Sequence, residues 1–206
     1  MRWMYVFAHG AGAGMNHPFM LRASEALEAR GIATHRYEFP YMQAKKSRPD
    51  PPAVAEEAVR KAVAEAAQRH PGLPILAGGK SFGGRMTSQA QGSQPMPGVR
   101  GLVFFGFPLH PPGKPGTSRA EHLMSVDVPM LFLQGTRDEF ATPELLRGVV
   151  ERLGQRATLH LIEEGDHSFK VPKRTGKTEG DVMEELANAV QNWVARVASP
   201  AATPRG

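Results

Sequence analysis

Two kinds of apolar pattern alternate along the chain. Short runs rich in β-branched and aromatic residues lie at 3–8, 32–39, 74–78, 100–107, 129–134 and 157–162. Helical patterns lie near 17–30, 51–70, 82–91, 142–153 and 179–197. The clearest is 51–70, where Pro51 and Pro52 suit a first turn and Val54, Ala58, Val59, Ala62, Val63 and Ala66 form one apolar face. Leu102-Val103-Phe104-Phe105 and Met130-Leu131-Phe132-Leu133 are apolar on both faces, as buried parallel strands are. Strands alternating with helices predict an α/β fold: about six mostly parallel strands, with helices on both faces. Placing the first two strands on one side and returning the third to the other side of strand 1 gives the order 2-1-3-4-5-6. The exits of strands 1 and 3 then flank a switch point, where open α/β sheets bind ligands.

The longest stretch without clear periodicity is 108–128, which holds Pro111, Pro112 and Pro115. It reads as a functional loop or small cover with one helical turn around 119–125, and no large lid domain is expected. Residues 1–197 read as a single domain and 198–206 as a frayed tail.

Composition narrows the chemistry. With 41% hydrophobic and 22% charged residues, the chain has the make-up of a globular protein. It contains no cysteine, which excludes disulfides, thiolate metal sites and a cysteine nucleophile together. The apolar run Arg2–Ala8 is too short for a signal peptide, and no segment has the length of a membrane span, so the expectation is a cytoplasmic protein without membrane partners. The net charge of +5 permits nucleic-acid contact, but no nucleic-acid motif accompanies it and none is expected.

The stretch "PILAGGKSFGGRM" at 74–86 admits two readings. As a P-loop, Gly79-Lys80-Ser81 would need a glycine where Pro74 stands, and Ile75-Leu76-Ala77 reads as strand rather than phosphate-wrapping loop. As a nucleophile elbow, Ser81 sits on a tight strand-to-helix turn whose neighbours must be small, and Gly79 and Gly83 meet that need.

An elbow serine needs a base, an orienting acid and an oxyanion hole. In hydrolases with this turn they follow in the order Ser, Asp/Glu, His, each after a strand. "QGTRDEF" places Asp138 after the fifth strand, and "EEGDHSF" places His167 after the sixth. Asp138 could instead cap the next helix, leaving Glu139 as the acid, while Asp166 reads as a turn residue. The exit of strand 1, "FAHGAGAGM", supplies an oxyanion donor: the N–H groups of Ala11 and Phe82 are the candidates, with Gly10 and Gly12 letting the loop fold tightly. A dinucleotide fingerprint with Glu38 as ribose acid would want glycine where Met15 stands.

The stretches "HGAGAGMNHPFM", "GGKSFGGRM", "FPLHPPGKP", "LQGTRDEF" and "GDHSF" resemble a family of small α/β-hydrolase-like proteins. It includes bacterial proteins of unassigned substrate, a testis-expressed animal protein and a domain in a subunit of a nuclear histone acetyltransferase complex. The resemblance implies a minimal α/β-hydrolase fold lacking the first two strands of the full form. On the family pattern the catalytic triad falls on Ser81, Asp138 and His167. Dienelactone-hydrolase-like enzymes are similar in size and layout but use a cysteine. One branch of the family looks like a scaffold, so a binding module without turnover is the rival expectation.

The expected activity is hydrolysis of an ester, thioester or related acyl bond, with no metal and no cofactor. Lys80, Arg85, His110, Lys114 and Arg137 are candidate substrate-binding residues, because they fall in segments leaving the C-terminal edge of the sheet. Their convergence would favour an anionic small-molecule substrate.

Overall fold

A computed structural model describes residues 1–198. Of the expected tail, Ser199–Gly206 lie outside the described residues. The strands are β1 (Trp3–Ala8), β2 (Ile32–Tyr37), β3 (Ile75–Lys80), β4 (Val99–Phe105), β5 (Met130–Gly135) and β6 (Ala157–Ile162). They form one sheet in the order β2-β1-β3-β4-β5-β6, every neighbouring pair parallel. The helices are α1 (Pro18–Glu28), α2 (Pro40–Gln43), α3 (Pro52–Arg69), α4 (Phe82–Ser93), α5 (Pro143–Leu153) and α6 (Glu179–Ala198).

The period-2 alternation of side chains divides each central strand between two cores. Met4, Val6, Ala77, Phe104 and Phe132 face α3, α4 and α5. Tyr5, Phe7, Leu76, Val103, Phe105 and Leu131 face α1 and α6. That is why Leu102–Phe105 and Met130–Leu133 read as apolar throughout: neither face meets water there.

The strand ends differ from the sequence expectation for local reasons. β2 stops at Tyr37 because Phe39 caps α2 and Pro40 has no N–H for a ladder. β3 runs on through Gly78 and Gly79, which pair with Phe7 and Ala8. β4 ends before Gly106, whose φ of +71° turns the chain, and the Phe107 N–H is taken by Gln134 Oε1 at 2.8 Å. On α3 the inward stripe is Ala55, Val59, Ala62, Val63 and Ala66. Val54 is 44% exposed, contrary to expectation. The helix presents the smaller Ala55 to the sheet and turns Val54 to its flank.

The proline-rich stretch carries a 3₁₀ helix at Ser118–Ser125 that packs on α4. His122 Nε2–H donates to Ser88 Oγ at 2.7 Å, since that hydroxyl itself donates to Arg85 O. Burial first, and the Arg85 guanidinium second, hold the His122 imidazole down at about 4. Between there and the ordinary histidine value near 6.5, the unfolded chain binds a proton that the folded chain refuses. Stability therefore falls as pH drops through that window. His122→Gln, which can still hydrogen-bond Ser88, is expected to flatten the fall of melting temperature between about pH 6.5 and 5, above most carboxylate titration. An unchanged slope would assign the acid sensitivity elsewhere.

Among the described residues no helix is long and apolar enough to cross a membrane.

Candidate functional site

Ser81 stands between β3 and α4 with φ 50° and ψ −115°, a backbone region that a residue with a side chain rarely occupies. Its own N–H donates to Phe105 O at 3.0 Å, and its carbonyl accepts from Arg85 N at 3.1 Å. The turn holds because α4 starts hard against the exit of β1. A Cβ at Gly83 would lie 2.5 Å from His9 O and 2.7 Å from the Ala8 carbonyl carbon, both backbone atoms that cannot swing aside. Gly83→Ala is therefore expected to cost about 3 kcal/mol or more of folding stability. A urea midpoint equal to that of the unaltered chain would contradict this account of the elbow.

Asp138 follows β5 and is 3% exposed. Its Oδ1 accepts from Phe140 N at 2.8 Å and its Oδ2 from Gln134 Nε2 at 2.5 Å, which fixes the carboxylate plane. It does not cap α5; Thr142 Oγ1 does, accepting from Leu145 N. Glu139 is exposed. His167 sits in the loop after β6, and Asp166 shapes that loop by accepting from Ser168 N and Lys170 N at 2.8 and 2.9 Å. His167 Nδ1 lies 2.7 Å from Asp138 Oδ2, and its Nε2 lies 2.8 Å from Ser81 Oγ. The Phe140 ring packs on the imidazole at 4.2 Å between centroids. With the Asp138 carboxylate beside it, Nδ1 carries the proton and Nε2 is free to accept from the serine.

A cavity of about 410 Å³ opens beside Ser81 and His167. Gly10 and Ala11 of the glycine loop form one rim. Phe19, Phe169, Val182, Met183 and Leu186 give it an apolar wall between α1 and α6. Phe82 opens α4, so its N–H is among those a helix leaves unused.

A serine–histidine–aspartate chain ending on a buried acid, with its serine on a strained turn at the C-terminal edge of a parallel sheet, is the layout of one fold family, and residues 2–195 match the family described as alpha/beta hydrolase domain. The chain belongs to the α/β-hydrolase family. Solved α/β-hydrolase folds are similar at low identity. An α/β serine hydrolase homologue from Coxiella burnetii has a TM-score of 0.74 at 19% identity, covering 93% of this chain and 85% of that one. A lidless α/β serine hydrolase from Xanthomonas campestris gives 0.71 at 21%, covering 96% and 84%. A dienelactone hydrolase from Anabaena variabilis gives 0.71 at 19%, covering 94% and 86%.

Of the basic residues expected to bind substrate in this α/β-hydrolase, only Lys80 lines the cavity. Arg85 turns toward the 3₁₀ helix, where Arg119 and His122 share its field. His110 is 4% exposed, its Nδ1 against Pro111 O and its N–H on Phe140 O. Lys114 is exposed on the proline-rich loop. Arg137 faces Glu164 at 3.8 Å. The proline-rich loop covers α4 rather than the cavity.

Sequence reasoning missed the supports of the glycine loop in this hydrolase fold. Glu38 Oε1 accepts from Met15 N at 2.8 Å, Arg36 Nη1 donates to Met15 O at 2.9 Å, and Gly12 N donates to the Tyr41 hydroxyl at 3.3 Å. His9 is fully buried, its Nδ1–H donating to Gly10 O and its Nε2 accepting from Phe39 N. Burial lowers its basicity, and this bonding needs the neutral ring. Only the acidic end of strand 2 hinted at Glu38. For the others, nothing in the one-dimensional pattern carried a signal.

Proposed function

We propose that the chain is a serine hydrolase that cleaves an ester, thioester or related acyl bond, with the cytoplasm as its setting. Ser81 Oγ attacks the carbonyl while His167 Nε2 takes its proton. Asp138 holds the imidazole in the tautomer that can accept that proton and stabilises the imidazolium that forms. The N–H groups of Ala11 and Phe82 receive the developing oxyanion. His167 then gives its proton to the leaving group, and water, deprotonated by the same imidazole, releases the acid. The scheme calls on no metal or organic cofactor.

The observation that carries this reading is the unbroken hydrogen-bond chain Ser81–His167–Asp138 at 2.8 and 2.7 Å. Within the α/β-hydrolase family we assign the chain to the small branch with the testis-expressed and acetyltransferase-subunit proteins. The support is the "FPLHPPGKP" and "GGKSFGGRM" stretches. A binding module is the rival reading, but such a module has no need to keep a strained serine in register with a histidine and a buried acid. The test is hydrolysis of short-chain aryl esters and thioesters by the purified chain beside its Ser81→Ala variant. Equal background rates in both would discard the reading.

A further inference from the structure

Lys80 is the last residue of β3 and shares the cavity with Ser81 and His167. An ammonium has three N–H donors. The structure gives this one a single hydrogen bond, to His167 O at 2.6 Å. Among the described residues no carboxylate lies within ion-pair distance of it. Its other neighbours are the rings of Phe169 and Phe19, with centroids 5.5 and 6.0 Å from Nζ. A desolvated cation facing aromatic rings and one neutral carbonyl is costly unless an anion joins it. The two acids whose fields reach it are engaged: Asp138 with His167, Gln134 and Phe140, and Asp166 with the N–H groups of its own loop. Burial draws the lysine down to about 8, which leaves it mostly charged at neutral pH.

Geometry places the ammonium beside the catalytic imidazole. Gly106 has no side chain, and a Cβ there would meet Lys80 Nζ at 3.1 Å and the His167 imidazole at 3.4 Å. The cation and the imidazole therefore flank one point. Nζ thus lies near the imidazole that serves Ser81, and Lys80, Ser81 and His167 line the same cavity. Among the described residues the only acid lining the cavity is Glu179, which Arg22 holds at 3.2 Å. His17, Ser168 and Lys170 also line the cavity but are exposed, and much of the remaining wall is hydrocarbon.

Resting on the serine-hydrolase reading above, we propose that Lys80 recognises a carboxylate on the substrate, carried a few bonds from the scissile carbonyl on a short hydrocarbon spacer. Recognition by this partly buried ammonium differs from steering by an exposed basic rim. Salt screens exposed charges strongly and a buried pair much less.

The test compares 4-nitrophenyl half-esters of glutaric and adipic acid with the same compounds methylated on the free carboxylate, at about 0.05 and 0.5 M salt. The unaltered chain is expected to favour the better half-ester by roughly tenfold or more in kcat/KM at both salt concentrations, as a charge-assisted hydrogen bond warrants. Lys80→Met, which keeps much of the apolar stem, is expected to bring that ratio to about one. If Lys80 serves only to hold the His167 carbonyl, the variant lowers both substrates together and keeps the ratio; that result overturns the proposal. So does a ratio near one in the unaltered chain, which needs no variant to read, or a preference that vanishes at high salt. Hydrolysis without carboxylate preference overturns this proposal alone. No hydrolysis of any substrate, with no labelling of Ser81 by a fluorophosphonate, overturns the hydrolase reading and this one with it.

Discussion

Ser81→Ala is expected to lower kcat for acyl-ester hydrolysis by on the order of 10⁶ while leaving the fold in place. The catalytic loss follows from removing the hydroxyl that stands 2.8 Å from His167 Nε2 and can form an acyl bond. The retained fold follows from what the hydroxyl does not do. The turn is held by Ser81's backbone bonds to Phe105 and Arg85 and by the close approach of α4 to β1, none of which uses Oγ. Alanine keeps a Cβ and so keeps the same backbone strain. Melting temperature and kcat should therefore separate cleanly. A variant that loses both would mean the serine is structural.

Asp138→Asn is expected to reduce turnover by on the order of 10⁴, with Glu139→Gln close to neutral. Both oxygens of Asp138 accept from donors: Oδ1 from Phe140 N, Oδ2 from Gln134 Nε2 and the imidazole. An asparagine must turn its NH₂ toward one side or the other. Toward Oδ2's position it faces Gln134 and forces the His167 proton onto Nε2, where the ring can no longer accept from Ser81. Toward Oδ1's position it meets the Phe140 N–H, leaving two buried donors opposed. Either orientation costs, and the first removes the base. A steady-state assay of both variants decides the acid: a crippled Glu139→Gln beside a healthy Asp138→Asn would reverse the assignment.

The parts that were legible in the sequence share a physical cause. Strands buried on both faces have no polar side to hide, so Leu102–Phe105 and Met130–Leu133 announced themselves. Chain order, with each candidate residue after a strand, brings Ser81, Asp138 and His167 to one edge of a parallel sheet. What stayed hidden depends on where long side chains turn. Arg85 and Arg137 leave the right edge but turn toward the 3₁₀ helix and Glu164, Lys114 is exposed on its loop, and His110 folds under its own loop. Val54 and Ala55 differ by one position on a helix, and which of them faces inward is settled by how closely α3 can approach the sheet. The lysine beside the serine looked like one more rim charge, and its packing against Phe19 of α1 and Phe169 of the loop after β6 joins segments far apart in sequence.

The central claim is an activated serine at position 81, and a fluorophosphonate reads it without knowledge of the substrate. The reagent forms a stable phosphonyl ester with a serine whose proton a working base removes. Intact-mass and peptide analysis of the labelled protein should show one adduct, on Ser81, that is absent in Ser81→Ala and strongly slowed in Asp138→Asn. Among the described residues Ser88 is the other serine hydrogen-bonded to a histidine, at 2.7 Å from His122 Nε2, and it is fully buried. No adduct on the folded, unaltered chain, or an adduct on Ser88 in place of Ser81, would contradict the account.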